Sequence, residues 1–336
     1  MHNNKLKQRF VKDCGYQIPV FEEPYWDFYL DLYPGCREDW EDLARCVENN
    51  YSGNVEEFIS DMGKTRDSII NHFKSHPKYL EFLNDKLDKF VFESEEYKNL
   101  PKGDIYNNEC ADGITTYMSV DLKKANIQAL RYYSPDLFRV GNVDPYAPID
   151  QLWDSFTAEF CSNEDAHNYL KNSKYLRQVV FGNLKPERQI RIEKFMVLTA
   201  FNKIKTERTV FSMFPLRVNS DEVVVKTNLT GDVLWKDKYG DVNWTELAEL
   251  RKQGIEVRVD LFKLKQILFE TSNKHLIDIY EKCFGGTSEY KKISTTYAGQ
   301  IWSSLLGREP DPQGRDLVFY MEKEPAKFLT RLKRVK

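Results

Sequence analysis

Apolar residues in the first hundred positions recur at three- and four-residue intervals, and near residue 110 that rhythm gives way to β-branched and aromatic runs. Trp40, Leu43 and Val47, then Phe58, Ile59 and Met62, then Ile69, Ile70 and Phe73 each mark one face of a helix. Pro77 interrupts this pattern and restricts the residue before it. The spacing predicts a further helix from Tyr79 to Phe92, with Leu80, Leu83, Leu87 and Phe90 on one face. The turn-rich run Asn99-Leu100-Pro101-Lys102-Gly103 marks a boundary. We therefore divide the chain into a helical N-terminal domain, 1–105, and a second domain, 106–336, that ends in a C-terminal extension.

Beyond the boundary, Thr115-Thr116-Tyr117-Met118-Ser119-Val120 reads as a strand closing on Asp121, and Lys123 to Tyr133 as a helix stopped by Ser134-Pro135. A long helical region is expected over about 150–207, broken near Gly182 and Pro186. Leu216 to Ser220 and Asp221 to Lys226 look like two strands meeting at a tight turn. Further short strands follow Gly231, notably Glu256 to Phe262, then a helix through Lys282 and a last strand at Asp316 to Tyr320. Helices interspersed with non-repeating strands give an α+β class with an antiparallel sheet.

Composition narrows the function classes. Mean hydropathy is −0.60 and no apolar run approaches the roughly 18–20 residues of a spanning helix, which excludes a membrane protein. The first residues, Met1-His2-Asn3-Asn4-Lys5, precede no apolar stretch, so a secretory signal is not expected and the chain reads as cytoplasmic. The cysteines at 14, 36, 46, 110, 161 and 283 include no CxxC pair, and only five histidines accompany them, which argues for reduced thiols and against zinc. Asn50, Asn228 and Asn243 begin N-x-S/T triplets that have no use without secretion. The net charge of −3 excludes nucleic-acid binding by bulk attraction, but it conceals two opposed regions. Residues 1–100 hold 20 acids and 13 bases, whereas 171–208 hold ten Lys or Arg (Lys171, Lys174, Arg177, Lys185, Arg188, Arg191, Lys194, Lys203, Lys205 and Arg208) and three Glu. Lys174, Arg177, Arg188 and Arg191 offer a cationic face to a triphosphate or a nucleic-acid backbone. The last twelve residues add five bases and no acid.

Two acidic positions stand out by context. Asp121 closes a strand, and Asp221-Glu222 sits at a hairpin. Carboxylates held at strand ends suit divalent metal ligation, and two on adjacent strands can hold two ions about 3.5–4 Å apart for in-line phosphoryl transfer.

These residues resemble motifs A, B and C of a polymerase palm, closest to those of family A DNA polymerases. Asp121-Leu122-Lys123-Lys124-Ala125-Asn126-Ile127-Gln128-Ala129-Leu130-Arg131 is similar to motif A, with Asn126 at the sugar-sensing position where the family normally has glutamate. Lys174-x-x-Arg177-x-x-x-Phe181-Gly182 is similar to motif B, with Arg177 in place of the triphosphate-binding lysine and Lys185 where a tyrosine is expected. Val218-Asn219-Ser220-Asp221-Glu222-Val223-Val224 is similar to motif C, with Ser220 replacing histidine. The 44-position offset from Arg177 to Asp221 is closer to the spacing of reverse transcriptases.

The resemblance covers about 110–230 and implies a palm-like mixed α/β domain after the helical region. It also implies a nucleotidyltransferase that adds nucleotides to a nucleic-acid 3′ end, with nucleoside triphosphates and nucleic acid as partners and DNA binding as a property. Asp121 and Asp221 would ligate two Mg²⁺ ions (Mn²⁺ being a possible substitute), and Glu222 would support the metals or the primer end. Lys174, Arg177, Arg188 and Arg191 would hold the triphosphate, and Asn126 its sugar. Two other readings stand beside it. A two-metal nuclease would recruit further acids, for which Asp112, Asp241 and Asp260 are candidates. A non-catalytic nucleic-acid-binding protein would stack bases on aromatics such as Tyr132, Tyr133 and Tyr175.

Overall fold

The computed structural model describes residues 4–91, 104–207, 215–227, 245–321 and 324–335. Five helices come first: α1 (Asn4–Cys14), α2 (Tyr25–Leu32), α3 (Cys36–Tyr51), α4 (Val55–Ser75) and α5 (Pro77–Asn84). Strand β1 (Asp112–Leu122) is followed by α6 (Ala125–Tyr133), α7 (Ile149–Ala158), α8 (Glu164–Leu170), α9 (Lys174–Gly182) and α10 (Pro186–Glu207). The hairpin β2 (Pro215–Val218) and β3 (Glu222–Thr227) precedes α11 (Thr245–Lys252), β4 (Val257–Glu270), β5 (Leu276–Cys283) and β6 (Ser288–Lys291). The C-terminal part contains α12 (Ala298–Leu305), β7 (Val318–Met321), β8 (Glu324–Lys327) and β9 (Lys333–Val335). The α+β class holds. The Asn99–Gly103 boundary, Asp241 and Arg208 lie outside the described residues.

The main sheet is antiparallel, in the order β2-β3-β1-β4-β5-β6, with β9 also on β4. Its first four strands follow a β-α-β-β-α-β path in which β3 lies between β2 and β1, the split arrangement, with α6 to α9 lying between the first strand and its crossover helix α10. Period-two alternation sorts the two faces. Met118, Val120, Leu122, Val223, Val225, Val257 and Val259 turn to α6 and α10, in a core that runs unbroken from Leu6 to Leu261 and also takes in α1 to α5. Tyr117, Val224, Phe262, Leu264 and Tyr280 face the other way and pack with Ile105. The basic C-terminus joins the fold: β9 pairs with Leu268 to Glu270, and Arg331 bonds Asp316. Among the described residues no helix is long and apolar enough to cross a membrane.

Three expectations need correction. The helix expected through Lys282 is absent, because β4 runs on to Glu270, turns at Thr271–His275 and returns as β5. Leu264, Ile267 and Leu268 satisfy helical spacing, but pairing with β1 up to Lys265 and with β9 from Leu268 on one side, and with β5 on the other, decides for strand. The helix expected from Tyr79 to Phe92 ends at Asn84, since the Asp85 carboxylate accepts from Leu87 N (2.9 Å) and Leu87 is left-handed (φ 59). Leu80 consequently faces solvent while Leu87 and Phe90 are buried. The region 150–207 also breaks before Asn163 and Ser173, whose side chains cap α8 and α9.

The junction of β1, α6 and β4 is closed by a buried polar network. Gln128 Oε1 accepts from Glu256 N (2.8 Å) and Gln128 Nε2 donates to Glu256 O (2.7 Å), while Arg131 Nη2 donates to Glu256 Oε1 (3.1 Å). Both charged side chains of the pair are 6% exposed. The same Glu256 oxygen accepts from Ile149 N (2.9 Å), and Arg131 reaches the carbonyls of Ala147 (2.9 Å) and Gly254 (3.2 Å). Removing one member leaves a buried charge uncompensated, so Glu256→Ala should lower the unfolding free energy by about 3–5 kcal/mol in urea titrations followed by tryptophan fluorescence. The double change Arg131→Met/Glu256→Met should lose less than the two single changes added together; strict additivity would show that the pair acts as two separate contacts.

Candidate functional site: a carboxylate cluster at the strand ends

The register of the sheet places the three acids singled out in the sequence at one end of adjacent strands. Asp121 on β1 is paired across to Glu222 on β3, and Leu122 N donates to Asp221 O (2.8 Å). The turn between β2 and β3 is closed by Asn219 N donating to Glu222 O (2.8 Å), which leaves Ser220 and Asp221 at its tip. Asp121 is also paired to Arg258 on β4, whose guanidinium lies 3.3 Å from Asp121 Oδ2 and 2.8 Å from Asp260 Oδ2.

Glu222 is fixed on two sides. Ser119 Oγ donates to its Oε1 (2.6 Å), and Lys282 Nζ lies 3.8 Å from the same atom. The Lys282 ammonium is itself buried above the Phe262 ring, 4.2 Å from its centroid, and burial lowers its pKa. Glu193 on α10 adds a fourth acid. It is buried, bonds Ser220 and stands in the field of Asp221.

The cluster is electrostatically expensive. Burial, opposed by Arg258 and reinforced by Glu222 and Asp221, raises the Asp121 carboxyl to about 7. Burial and Asp221 together raise Glu193 to about 7 as well. Among the described residues no three Asp, Glu, His or Cys converge to enclose a metal by themselves. Mg²⁺ does not require such a cage, because it is commonly held by one or two carboxylates together with substrate phosphates and water. Hard oxygen donors whose repulsion a cation would relieve are chemically compatible with Mg²⁺, which Asp121 and Asp221 would hold.

The cationic residues lie in three separate places. Arg177, half-buried on α9, lies in the field of Lys124, the left-handed residue (φ 45) that begins α6 three positions after Asp121. Burial lowers the pKa of Arg177, and burial with Arg177 and Lys123 nearby lowers Lys124 to about 8. Lys124 also pairs with Asp150. Asn126 sits half-buried in the first turn of α6, its Oδ1 accepting from Ile127 N (2.9 Å). Lys174, by contrast, is exposed on the rim of a polar cavity between α1, α3, α8 and α9. Arg188 and Arg191 are engaged at the end of α5. Arg188 donates to the carbonyls of Phe82 (2.9 Å) and Asp85, and Arg191 donates to Lys86 O (2.8 Å).

The remaining candidates are scattered. Asp112 accepts from the amides of Ile114 and Thr115 and from the Thr115 hydroxyl, which hold its pKa down to about 2 at the far end of β1. Tyr133 packs on Phe82, and Tyr175 lies beneath Arg9 and Lys12. Sequence reasoning missed Glu193, Arg258, Lys282 and Ser119. Glu193 had a signal: with Gln189, Met196 and Ala200 it forms a stripe of three- and four-residue spacing, and all four are buried. Arg258 and Asp260 alternate with Val257, Val259 and Leu261, which marks them as the outward face of β4.

Comparison with known proteins adds no relative: no family model matches the chain, and no curated protein or solved structure is significantly similar to it.

An acid whose pKa is higher folded than unfolded supports folding only while protonated. For Asp121 that contribution declines as pH rises from about 4 to about 7 and is absent above. Without divalent cation at pH 8, Asp121→Asn should therefore be more stable than the unaltered protein by about 1–2 kcal/mol, discounting for its partial exposure, and the gap should close near pH 5. Mg²⁺ should raise the unfolding midpoint of the unaltered protein more than that of the variant. Equal midpoints at pH 8 in thermal-shift measurements would mean that Arg258 already neutralises the cluster.

Proposed function

We propose that this chain is a palm-type nucleotidyltransferase that extends a nucleic-acid 3′ end from nucleoside triphosphates. One observation carries the reading: Asp121 and the Asp221-Glu222 turn, about a hundred residues apart in sequence, stand side by side at the ends of β1 and β3, on a split β-α-β-β-α-β sheet. Asp121 and Asp221 would hold two Mg²⁺, or Mn²⁺ in their place. Ions held there would supply Lewis-acid activation of a 3′-hydroxyl and neutralise charge on the triphosphate.

The protein's own groups have separable parts in this reading. Ser119 and Lys282 hold Glu222 in one orientation beside the carboxylate pair. Arg177 and Lys124 present positive charge on the α6 side of Asp121, where an incoming triphosphate would lie. Asn126 stands next to them to meet the sugar. Arg188 and Arg191 serve α5 instead, and Lys174 faces another cavity, so neither the pair nor Lys174 enters the mechanism.

Labelled nucleotide incorporation with Mg²⁺ and a primed template tests the assignment. Asp121→Asn and Asp221→Asn should each reduce it by at least about a hundredfold, and Arg177→Ala should raise the KM for the triphosphate by about tenfold. Incorporation that survives both aspartate changes would falsify the proposal. Glu193 and Asp260 beside the cluster also favour a second reading, a two-metal nuclease, which needs more acids than a polymerase does. Shortening of an end-labelled oligonucleotide under the same conditions would select it.

A further inference from the structure

We infer that a slot beside the strand ends, between α6, the 144–148 loop and the end of α11, takes an unpaired base of a single-stranded nucleic acid. The slot is a cavity of about 340 Å³, within the range of small-ligand sites, and its lining includes Tyr132, Pro135, Tyr146, Pro148, Arg251 and Lys252. Planar apolar walls with cations at the mouth suit a base entering flat and its phosphates remaining outside.

Three further observations point to a ligand. Tyr146 is 71% exposed, yet its loop is held firmly: Tyr146 N donates to the Asp144 carboxylate (2.9 Å), and the next carbonyl, of Ala147, accepts from buried Arg131. The aromatic ring is thus presented to solvent on fixed backbone rather than left there by a loose loop. Tyr132 packs against Phe90 and Phe195, and a side chain added at Gly254 (φ +82) would meet its ring. Finally, buried Arg131, its side chain 6% exposed, forms part of the cavity wall, so the slot is backed by the rigid Arg131-Glu256 pair.

The slot adjoins the carboxylate cluster. Glu256, which lines the slot, accepts through its carbonyl from Lys123 N (3.0 Å), two residues after Asp121, and itself lies two residues before Arg258. The inference shares its nucleic-acid partner with the proposed function but does not rest on catalysis.

Binding of a fluorescein-labelled single-stranded DNA 15-mer, followed by anisotropy with EDTA present, tests it apart from any reaction. The unaltered protein should bind. Tyr146→Ala should weaken binding by about five- to tenfold and Tyr146→Phe by less than about twofold, since stacking is kept. Lys252→Ala should reduce the slope of log affinity against log salt by about one. A 2-aminopurine base placed in the oligonucleotide should change fluorescence on binding, and that change should vanish with Tyr146→Ala. No binding by the unaltered protein, or full affinity in Tyr146→Ala, would overturn the slot assignment. Displacement by an equal concentration of mononucleotide would overturn the strand. Oligonucleotide binding that persists in Asp121→Asn while incorporation is lost supports both readings; binding with no incorporation under any condition removes the catalytic one and keeps the slot.

Discussion

Everything near the strand ends depends on Glu256. Its main chain pairs with Gln128 of α6, its carboxylate meets Arg131 and the amide of Ile149, and its carbonyl accepts from Lys123. Four segments that sequence holds apart therefore converge on one residue: the end of β1, α6, the loop before α7 and the start of β4. A buried ion pair is often no more stabilising than an apolar substitute. Its value here is positional, because an apolar pair could not fix the direction in which the 144–148 loop and Gly254 leave it.

That clamp stands behind a site whose own groups repel one another. Asp121, Asp221, Glu222 and Glu193 share one corner, answered only in part by Arg258 and Lys282. The sheet holds them together regardless, since a change of register by one residue would move Val120 and Val223 out of the core. Folding energy from the apolar underside thus maintains an arrangement that the acids would not adopt by themselves. Such spending of stability on a cluster is common where a cation or an anionic substrate completes the balance.

The readable parts of the sequence were those in which local pattern and long-range pairing agree. β1 and the β2-β3 hairpin are rich in β-branched residues and end at turn formers, so the strand-end positions of Asp121, Asp221 and Glu222 were legible in the sequence. Residues 263–282 satisfy two periods at once, and only their neighbours β1, β5 and β9 choose between them. Charge was a poorer guide. The positive stretch 171–208 reads as one face, but its helices point Arg188 and Arg191 at α5, Lys174 at a separate cavity and Arg177 at Lys124. Lys203 pairs with Glu249 (2.8 Å), a partner that no local pattern could announce. For Glu193 the helical stripe announced burial but not proximity to Asp221, which only the fold brings about.

The contacts that join the corner span long stretches of chain: Ser119 meets Glu222 across 103 residues, and Arg258 meets Asp121 across 137. Loops of that length close late, after local helices have formed. During synthesis the ribosome releases all four acids before it releases Arg258 or Lys282. A nascent chain stopped ahead of residue 256 therefore carries the full negative charge of the corner with neither counter-cation nor clamp, and β1 is left with its β4 edge bare.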